Sequence, residues 1–514
     1  MTGKLSTLVV LAALNCISDS GWHVRAAAAG PVADDAASAR EILAAARGAQ
    51  PVLCALAVRS VEGRYGFGPW QPPGGVADTA TALAWALERH RNETAVPVLL
   101  DGLGNDDPCV REFAARLVAQ IESRVAAAGM VRALSAASAG TRRAAAVALG
   151  FADIPQALDP LIARLADEDG PVRAAAAWAL GGLDERRAGP PLRHALGDGT
   201  SSVRVAAAQA LGRLEDTSAE AALINALKND ADEAVRLAAA EALGRMEAKG
   251  AAPALTDALS DRSVKVRRTA AWALGQIESP EAVSGLIKAT GDEDRDVREM
   301  ATWALGELES HAAVPALTRR LHDDTDGDVR VRAAWALGEI EDASAVAPLG
   351  AALRDDRSTE VRATASWALG QIEDKSAAPV LASALRDSSS EVRGDAAWAL
   401  GSIEVEHAPD ALIAALKDPV ASVRHRSAWA LGKIGDAAAV PALKDAVKDS
   451  DHEVGKAALW ALSNMDDETA RAAFIDVLKS SDPEMRAAAA RALGGGHMNP
   501  WPWPQPRPMP RPFP

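Results

Sequence analysis

The chain has 514 residues, of which 48% are apolar and 24% charged, and its 55 basic and 70 acidic side chains give a formal net charge of −15. A sequence pI near 5.2 without a basic cluster argues against nucleic acid as the main partner, because phosphate binding requires grouped Lys and Arg side chains. Three cysteines are too few for a disulfide framework or a cysteine-based zinc site. The aromatic content is uneven, with 13 Trp against five Phe and one Tyr.

Residues 1–29 are expected to be a signal peptide or a disordered arm. Lys4 precedes an apolar run at residues 8–14 (LVVLAAL), and small residues follow at 26–29, which is the order found in secretory signals. Seven apolar residues are too few to span a bilayer as a helix, so no transmembrane segment is predicted. Export to the periplasm or secretion from a bacterial cell is predicted, with a cytoplasmic location as the alternative. An oxidising compartment would permit Cys54 and Cys109 to pair, and the sequence leaves that pairing open.

Residues 30–76 are expected to form a helical N-terminal cap, which includes a Gly/Pro-rich loop (GRYGFGPWQPPGG, 63–75). From residue 77 to residue 496 a repeat fills the chain, and its members align on one position that is usually Arg. Successive members lie 31 or 32 residues apart, and each repeat carries two helical patterns with apolar side chains at spacings of three and four. The aligned positions are Ala80, Arg111, Arg142, Arg173, Arg204, Arg236, Arg267, Arg298, Arg330, Arg362, Arg393, Arg424, Gly455 and Arg486.

An Asp stands six residues before the repeat Arg at ten positions, in the turn before the second helix. There a carboxylate can accept free backbone N–H groups, meet the positive end of the helix and reach an Arg. Recurrence at one phase favours a structural device over acid–base chemistry. The pairs Asp261 with Arg267, Asp324 with Arg330 and Asp387 with Arg393 represent this set, whose other Asp members are Asp167, Asp198, Asp230, Asp292, Asp356, Asp418 and Asp449.

The blocks RAAWALGEIEDASAVAPLGAALRDD (332–356) and RHRSAWALGKIGDAAAVPALKDAVKDSD (424–451) resemble HEAT-like repeats of the short, 31-residue kind found in phycobilin lyases. The resemblance implies an all-α fold, a right-handed α-α superhelix of about 14 helix pairs, with the second helices lining the concave surface. It says little about function, because the same repeat serves scaffolds, lyase subunits and sensor domains.

The tryptophans recur five residues after the repeat Arg. At 100° per residue this position lies about 160° from the centre of the apolar face of the second helix, which predicts a row of exposed indoles on the concave surface. A binding groove is the favoured interpretation, and the alternative is that the rings only thicken the packing between Ala-rich helices. The Trp residues at this position are Trp85, Trp178, Trp272, Trp303, Trp335, Trp367, Trp398, Trp429 and Trp460.

Variable polar residues flank this row at one, two and nine residues after the repeat Arg. A constant frame with variable flanks is typical of a binding surface, so these side chains are predicted to contact the ligand. The predicted polar contacts are Arg268, Glu299, Arg332, Asp395, Arg426 and Lys433.

Residues 497–514 (HMNPWPWPQPRPMPRPFP) form a Pro-rich tail, predicted to be disordered or an extended polyproline II rod. Trp501 and Trp503 with Arg507 and Arg511 give it the character of a ligand for an aromatic groove. The tail could therefore bind the Trp row of its own chain or of a second copy, or it could serve as a spacer for an outside partner.

No HExxH, GxSxG or P-loop motif occurs, and the nine His are scattered without a repeated phase. We therefore predict a noncatalytic scaffold or recognition protein without metal or cofactor, which binds a protein or an extended peptide. A bilin lyase-like or other enzyme-associated HEAT subunit is one alternative. A cell-envelope glycan-binding or sensor protein, similar to the repeat portion of antirepressor-type peptidases, is the other.

Overall fold

The computed structural model describes residues 35–48, 93–152, 154–465, 468–480 and 482–494, and within these ranges all regular structure is helical. The chain divides into two compact units, Met1–Met246 and Glu247–Pro514, called here the N-terminal and C-terminal units. The expectation of an all-α solenoid is thus confirmed. The predicted 1–29 arm, Trp85, Cys54 and the tail with Trp501, Trp503, Arg507 and Arg511 lie outside the described residues.

In the part of the N-terminal unit that the structure describes, one helix and five helix pairs are present. Its helices are α1 Asp35–Ala46, α2 Val96–Gly102, α3 Pro108–Ala119, α4 Arg124–Ala133, α5 Ala139–Ala152, α6 Leu158–Arg164, α7 Gly170–Leu180, α8 Gly189–Ala195, α9 Ser201–Arg213, α10 Glu220–Asn229 and α11 Glu233–Arg245.

The described residues of the C-terminal unit form eight helix pairs. Its helices are α12 Ala252–Ala258, α13 Val264–Ile277, α14 Val283–Ala289, α15 Arg295–Glu307, α16 Val314–Asp323, α17 Gly327–Ile340, α18 Val346–Asp355, α19 Thr359–Ile372, α20 Ala378–Ala384, α21 Ser390–Ser402, α22 Asp410–Ala414, α23 Ala421–Ile434, α24 Val440–Ala446, α25 His452–Ser463, α26 Glu468–Val477 and α27 Pro483–Leu493.

Short polar residues set where these helices begin. The carboxylate of Asp326 accepts the backbone N–H of Asp328 at 2.9 Å and caps the second helix α17. Most first helices in the described residues begin after a 3-10 turn, and four of these turns have a side-chain cap, as where Asp342 accepts the N–H of Ser344 at 2.8 Å before α18. Pro315 and Pro441 lie in the first turns of α16 and α24, where the absent N–H would have had no intrahelical partner.

The core of each unit lies between the two layers of helices and is built from Ala, Leu, Val and Ile. Second helices pack more extensively against their neighbours than first helices do, so they form the tighter layer. Helix α1 packs on α2 and α3 through Leu43, close to Gly102. Cys109 in α3 is disulfide-bonded; since Cys16 and Cys54 are both outside the described residues, pairing with Cys54 stays a prediction. No helix in the described ranges combines the length and apolarity that a membrane span requires.

Candidate functional site: the face of the second helices

Within each unit the repeat Arg and Asp form a ladder of bidentate ion pairs, which joins successive repeats at nine places in the described residues. Arg330 donates from Nε to Oδ2 of Asp356 at 2.7 Å and from Nη2 to Oδ1 at 3.1 Å, while its Nη1 donates to the carbonyl of Asp324 at 2.9 Å. The same double contact is made by Arg142 with Asp167, Arg173 with Asp198, Arg204 with Asp230, Arg267 with Asp292, Arg298 with Asp324, Arg362 with Asp387, Arg393 with Asp418 and Arg424 with Asp449.

The ion pairs therefore run between repeats, whereas within a repeat the Arg donates to backbone carbonyls of the turn that contains the Asp. Arg267 donates to the carbonyl of Asp261 at 3.0 Å, and Arg393 donates to the carbonyl of Asp387 at 2.9 Å. Each carboxylate also accepts the N–H two residues ahead, as where Asp387 accepts from Ser389 at 2.8 Å. The carboxylates are thus held by both the preceding repeat and their own turn.

Electrostatics follow from this geometry. The hydrogen bonds from Arg204 lower the pKa of Asp230, and those from Arg424 lower the pKa of Asp449. The carboxylate of Asp230 in turn raises the pKa of the Arg204 guanidinium. These carboxylates stay ionised and paired, so they are not placed for proton transfer.

The sequence predicted a row of exposed tryptophans, and the prediction that these side chains are exposed is wrong. Trp272, Trp303, Trp335 and Trp429 are buried, and the other indoles in the described residues are half-buried. The half-buried members are Trp178, Trp367, Trp398 and Trp460.

For seven of the eight described indoles, the ring lies across the gap between repeats and covers a glycine of the preceding second helix. A Cβ added at Gly306 would lie 2.6 Å from Cζ3 of Trp335, and one at Gly275 would lie 2.6 Å from Cζ3 of Trp303. The same contact, at 2.5–2.9 Å, joins Gly150 to Trp178, Gly338 to Trp367, Gly370 to Trp398, Gly401 to Trp429 and Gly432 to Trp460. The packing interpretation therefore describes these rings, and any ligand contact is confined to their exposed edges.

Most of the predicted polar contacts pair with one another across neighbouring second helices. Arg332 meets Glu299 at 3.3 Å, and its guanidinium also lies 5.8 Å from the centre of the Trp335 ring. Arg426 forms an ion pair with Asp395 on the preceding second helix.

The two remaining predicted contacts have partners elsewhere. Arg268 lies 3.8 Å from Asp296, and Lys433 reaches Glu404 at 3.1 Å. Lys433 is the one exposed side chain among the six residues; the other five are half-buried or buried. Their role as ligand contacts stays a prediction.

A row of acidic residues, which the sequence interpretation missed, follows the C-terminal ends of the second helices. Eleven residues after the repeat Arg, eight consecutive repeats place an exposed Asp or Glu with φ between 46° and 54°, the left-handed region. The recurrence of Asp or Glu at this position of the repeat is the sequence signal that could have revealed the row. The acidic row has two members in the N-terminal unit, Asp184 and Glu215, and six in the C-terminal unit, Glu247, Glu278, Glu309, Glu341, Glu373 and Glu404.

Carboxylates at the ninth position extend this negative field onto the second-helix face of the C-terminal unit. Glu339 is half-buried, and burial raises its pKa. The neighbouring carboxylates of Glu307, Glu309 and Glu341 raise the same pKa further, against a hydrogen bond to Trp335 that lowers it. No group of three or more His, Cys, Asp or Glu in the described part of the chain is arranged to hold a metal ion.

Stacked helix pairs joined by ion pairs and by ring-on-glycine contacts define an α-α repeat solenoid. The family model described as HEAT repeats matches residues 77–149, 127–204, 195–264, 252–338, 320–401, 346–423 and 409–494. The chain belongs to the HEAT repeat family, as the resemblance implied. No curated protein is significantly similar in sequence to this chain.

The chain is similar to several solved structures, of which importin beta has the fold in common with it. Importin beta is 15% identical with a TM-score of 0.50, over 89% of this chain and 80% of that chain. A chain from the structure of Kap95p with RanGDP is 16% identical with a TM-score of 0.47, over 86% of this chain and 66% of that one. The CpcE–CpcF complex of phycocyanin lyase from Nostoc sp. PCC7120 is 26% identical with a TM-score of 0.29, over 48% of this chain and 92% of that one.

Proposed function

We propose that the protein is a noncatalytic scaffold that binds a protein or an extended peptide along the second-helix face of the C-terminal unit. The observation that carries the proposal is the exposed acidic row at the C-terminal ends of the second helices, among them the helices that carry the half-buried Trp367 and Trp398. Most of the other polar side chains that were predicted to contact a ligand form ion pairs with one another. We therefore infer that the partner contributes Lys or Arg side chains to the acidic row and apolar side chains to the ring edges.

The spacing of the repeats fits an extended ligand. Neighbouring packed helices lie about 8–10 Å apart, and a polyproline II rod advances about 3.1 Å per residue. One basic side chain at every third residue would therefore meet one carboxylate of the acidic row per repeat. An extended chain also leaves its side chains free for such periodic contacts.

The test is the binding of a labelled Pro-rich peptide with Arg at every third position, measured by fluorescence anisotropy at several salt concentrations. The variant carries Glu309→Gln, Glu341→Gln and Glu373→Gln. Its matched control carries Gln at three other exposed glutamates, Glu281, Glu360 and Glu391.

We expect binding that weakens with salt, and an affinity about tenfold lower in the acidic-row variant than in the control, since each lost charge contact is worth a few tenths of a kcal/mol or more. A peptide with Glu in place of Arg should not bind. Equal affinities of the two triple variants would refute this site.

The alternatives give different results with the same purified protein. Stoichiometric bilin, iron or zinc would support an enzyme-associated role and contradict the noncatalytic proposal. Quenching of Trp fluorescence by cell-wall oligosaccharides, without an effect of the Arg peptide, would support a glycan ligand. Binding of the Pro-rich tail to this face, in cis or in trans, stays a prediction that a chain lacking residues 497–514 can test.

We also propose that the protein functions outside the cytoplasm. The disulfide at Cys109 supports this location, because disulfides persist in oxidising compartments. Cell fractionation tests it, together with mass measurement of the mature N-terminus: removal of the 1–29 segment is expected, and an intact N-terminus in the cytoplasmic fraction would contradict it.

A further inference from the structure

The last described helix pair exposes an apolar side chain at a position that the eleven preceding second helices bury. Leu493 lies seven residues after the repeat Arg and is 40% exposed. Leu at the same position in the eleven preceding second helices is 0% exposed. Those residues are Leu149, Leu180, Leu211, Leu243, Leu274, Leu305, Leu337, Leu369, Leu400, Leu431 and Leu462.

The first helix of the last pair exposes a matching edge. Ile475 is 53% exposed and Leu478 is 40% exposed. In an earlier repeat the equivalent residues are Thr256 and Leu259, and the first helix of the next repeat packs on them. A Cβ at Gly285 of that helix would lie 2.6 Å from Cγ2 of Thr256 and 3.2 Å from Cδ1 of Leu259.

Ile475, Leu478 and Leu493 therefore belong to the surface on which a following repeat would pack; we call it the end face. Six large hydrophobic side chains are exposed in the described residues, and three of them lie on this face. A solenoid end of this kind requires a cover, because terminal repeats otherwise present their apolar stacking surface to water.

We propose that the Pro-rich tail, residues 497–514, folds back over the end face and caps the last repeat. The tail follows Leu493 within a few residues, and it carries Trp501, Trp503, Met509 and Phe513. Eighteen residues of polyproline II would extend about 55 Å, whereas the ten-residue helix α26 is about 15 Å long, so the tail can cross the face more than once.

The chemistry of proline suits this position. Alternate residues of the tail lack a backbone N–H, so an extended tail can lie on an apolar surface while burying few unpaired donors. The second-helix face offers the apolar side chains of the tail less, because its indoles are buried or half-buried. The end face is an exposed apolar surface close to where the tail begins.

The experiment uses the full chain with a photo-crosslinking residue in the tail, as Trp503→benzoylphenylalanine or Phe513→benzoylphenylalanine. Irradiation of the purified protein is followed by mass spectrometry of the crosslinked peptides, with a mixture of light and isotopically heavy chains to separate contacts within a chain from contacts between chains. We expect crosslinks within one chain to residues 468–494.

The end-face variant carries Ile475→Ser, Leu478→Ser and Leu493→Ser, and the control carries Ser at the three exposed valines elsewhere, Val125, Val264 and Val420. The crosslink yield should fall about tenfold in the end-face variant, equivalent to roughly 1.4 kcal/mol of lost apolar burial, and stay unchanged in the control. As a readout that needs no substitution in the end face, deletion of residues 497–514 should increase hydrogen exchange in α26 and α27.

Crosslinks to the second helices of earlier repeats would overturn the proposal in favour of docking on the second-helix face. Crosslinks between light and heavy chains would overturn it in favour of end-to-end contact with a second copy. Unchanged hydrogen exchange in α26 and α27 after deletion of the tail would also overturn it.

Discussion

Substituting Gly275 by Ala tests whether the repeated glycines are selected by the ring that covers them. In an exposed helix interior this change would stabilise the protein by about 1 kcal/mol, because Ala is the better helix former. Here the new Cβ would lie 2.6 Å from Cζ3 and 3.0 Å from Cη2 of Trp303, whose side chain is only 1% exposed. A buried ring in contact on all sides cannot move without disturbing its neighbours.

The expected effect follows from two opposing contributions. Overpacking of a close-packed core destabilises by about 1–3 kcal/mol, and a contact this short on a rigid ring places Gly275→Ala near the upper end. Subtracting the propensity gain of about 1 kcal/mol leaves a net loss of about 2 kcal/mol in the free energy of unfolding. Gly327→Ala in the first turn of α17 is the control, since no atom lies within 4 Å of its new Cβ, and it should change stability by less than about 0.5 kcal/mol.

A double-mutant cycle with Trp303→Phe isolates the contact. Removing the outer ring should release the clash, so Gly275→Ala in that background should become neutral or slightly stabilising, giving a coupling energy of about 2 kcal/mol. Urea unfolding followed by far-UV circular dichroism measures the free energies, and hydrogen exchange in α13 and α15 checks that the loss is local. Equal destabilisation of wild type and Trp303→Phe would refute the reasoning.

Three further outcomes are expected from the charged groups. Arg330→Ala should lower the free energy of unfolding in urea by about 3 kcal/mol, because it removes the ion-pair partner of the buried Asp356 carboxylate; the Arg330 and Asp356 side chains are 6% and 10% exposed. The control Arg354→Ala, at a side chain that is 60% exposed, should change the free energy of unfolding little. The ladder lowers the pKa of carboxylates such as Asp230 in the folded protein. The stabilisation from these carboxylates is present above the unfolded Asp pKa of about 3.9 and is lost as the pH falls through the lower folded values. Acid titration should therefore reduce the free energy of unfolding at and below that pH, and an unchanged free energy down to about pH 2 would contradict this prediction. Because the pKa of Glu339 is raised, its charged form disfavours folding at neutral pH; Glu339→Gln should stabilise the protein at pH 7 and have little effect below about pH 4, as urea unfolding at both pH values will show.

The fold could be predicted because the same residue types recur in the sequence with a period of 31 or 32 residues. The Arg and Asp positions indicated where each second helix begins, and Leu337 or Ile340 indicated which side of it is buried. The sequence could not show which Asp carboxylate forms an ion pair with each Arg. The contact from Arg330 to Asp356 spans 26 residues, and only the stacking of neighbouring repeats brings these side chains together.

The tryptophans show the corresponding limit. A helical wheel places Trp335 away from the core of its own repeat, because the wheel treats one helix in isolation. The ring instead crosses to Gly306 on the preceding helix. The co-occurrence of Gly in one repeat with Trp in the next was a usable signal, although Gly181 and Gly212 approach Ala210 and Ala242 without any ring.

The left-handed backbone of the acidic row has a consequence for engineering the protein. A non-Gly residue in this region is disfavoured by about 1–2 kcal/mol, and a negative charge at a helix C-terminus is disfavoured as well. In the repeat of Arg424 the same position holds Gly435, with φ of 73°, so the fold accepts the relaxed residue. Replacing Glu341 or Glu373 by Gly should therefore give a more stable solenoid with weaker affinity for the proposed basic partner. Stability and recognition would then change in opposite directions at a single backbone position, as expected where an acidic side chain is retained for binding.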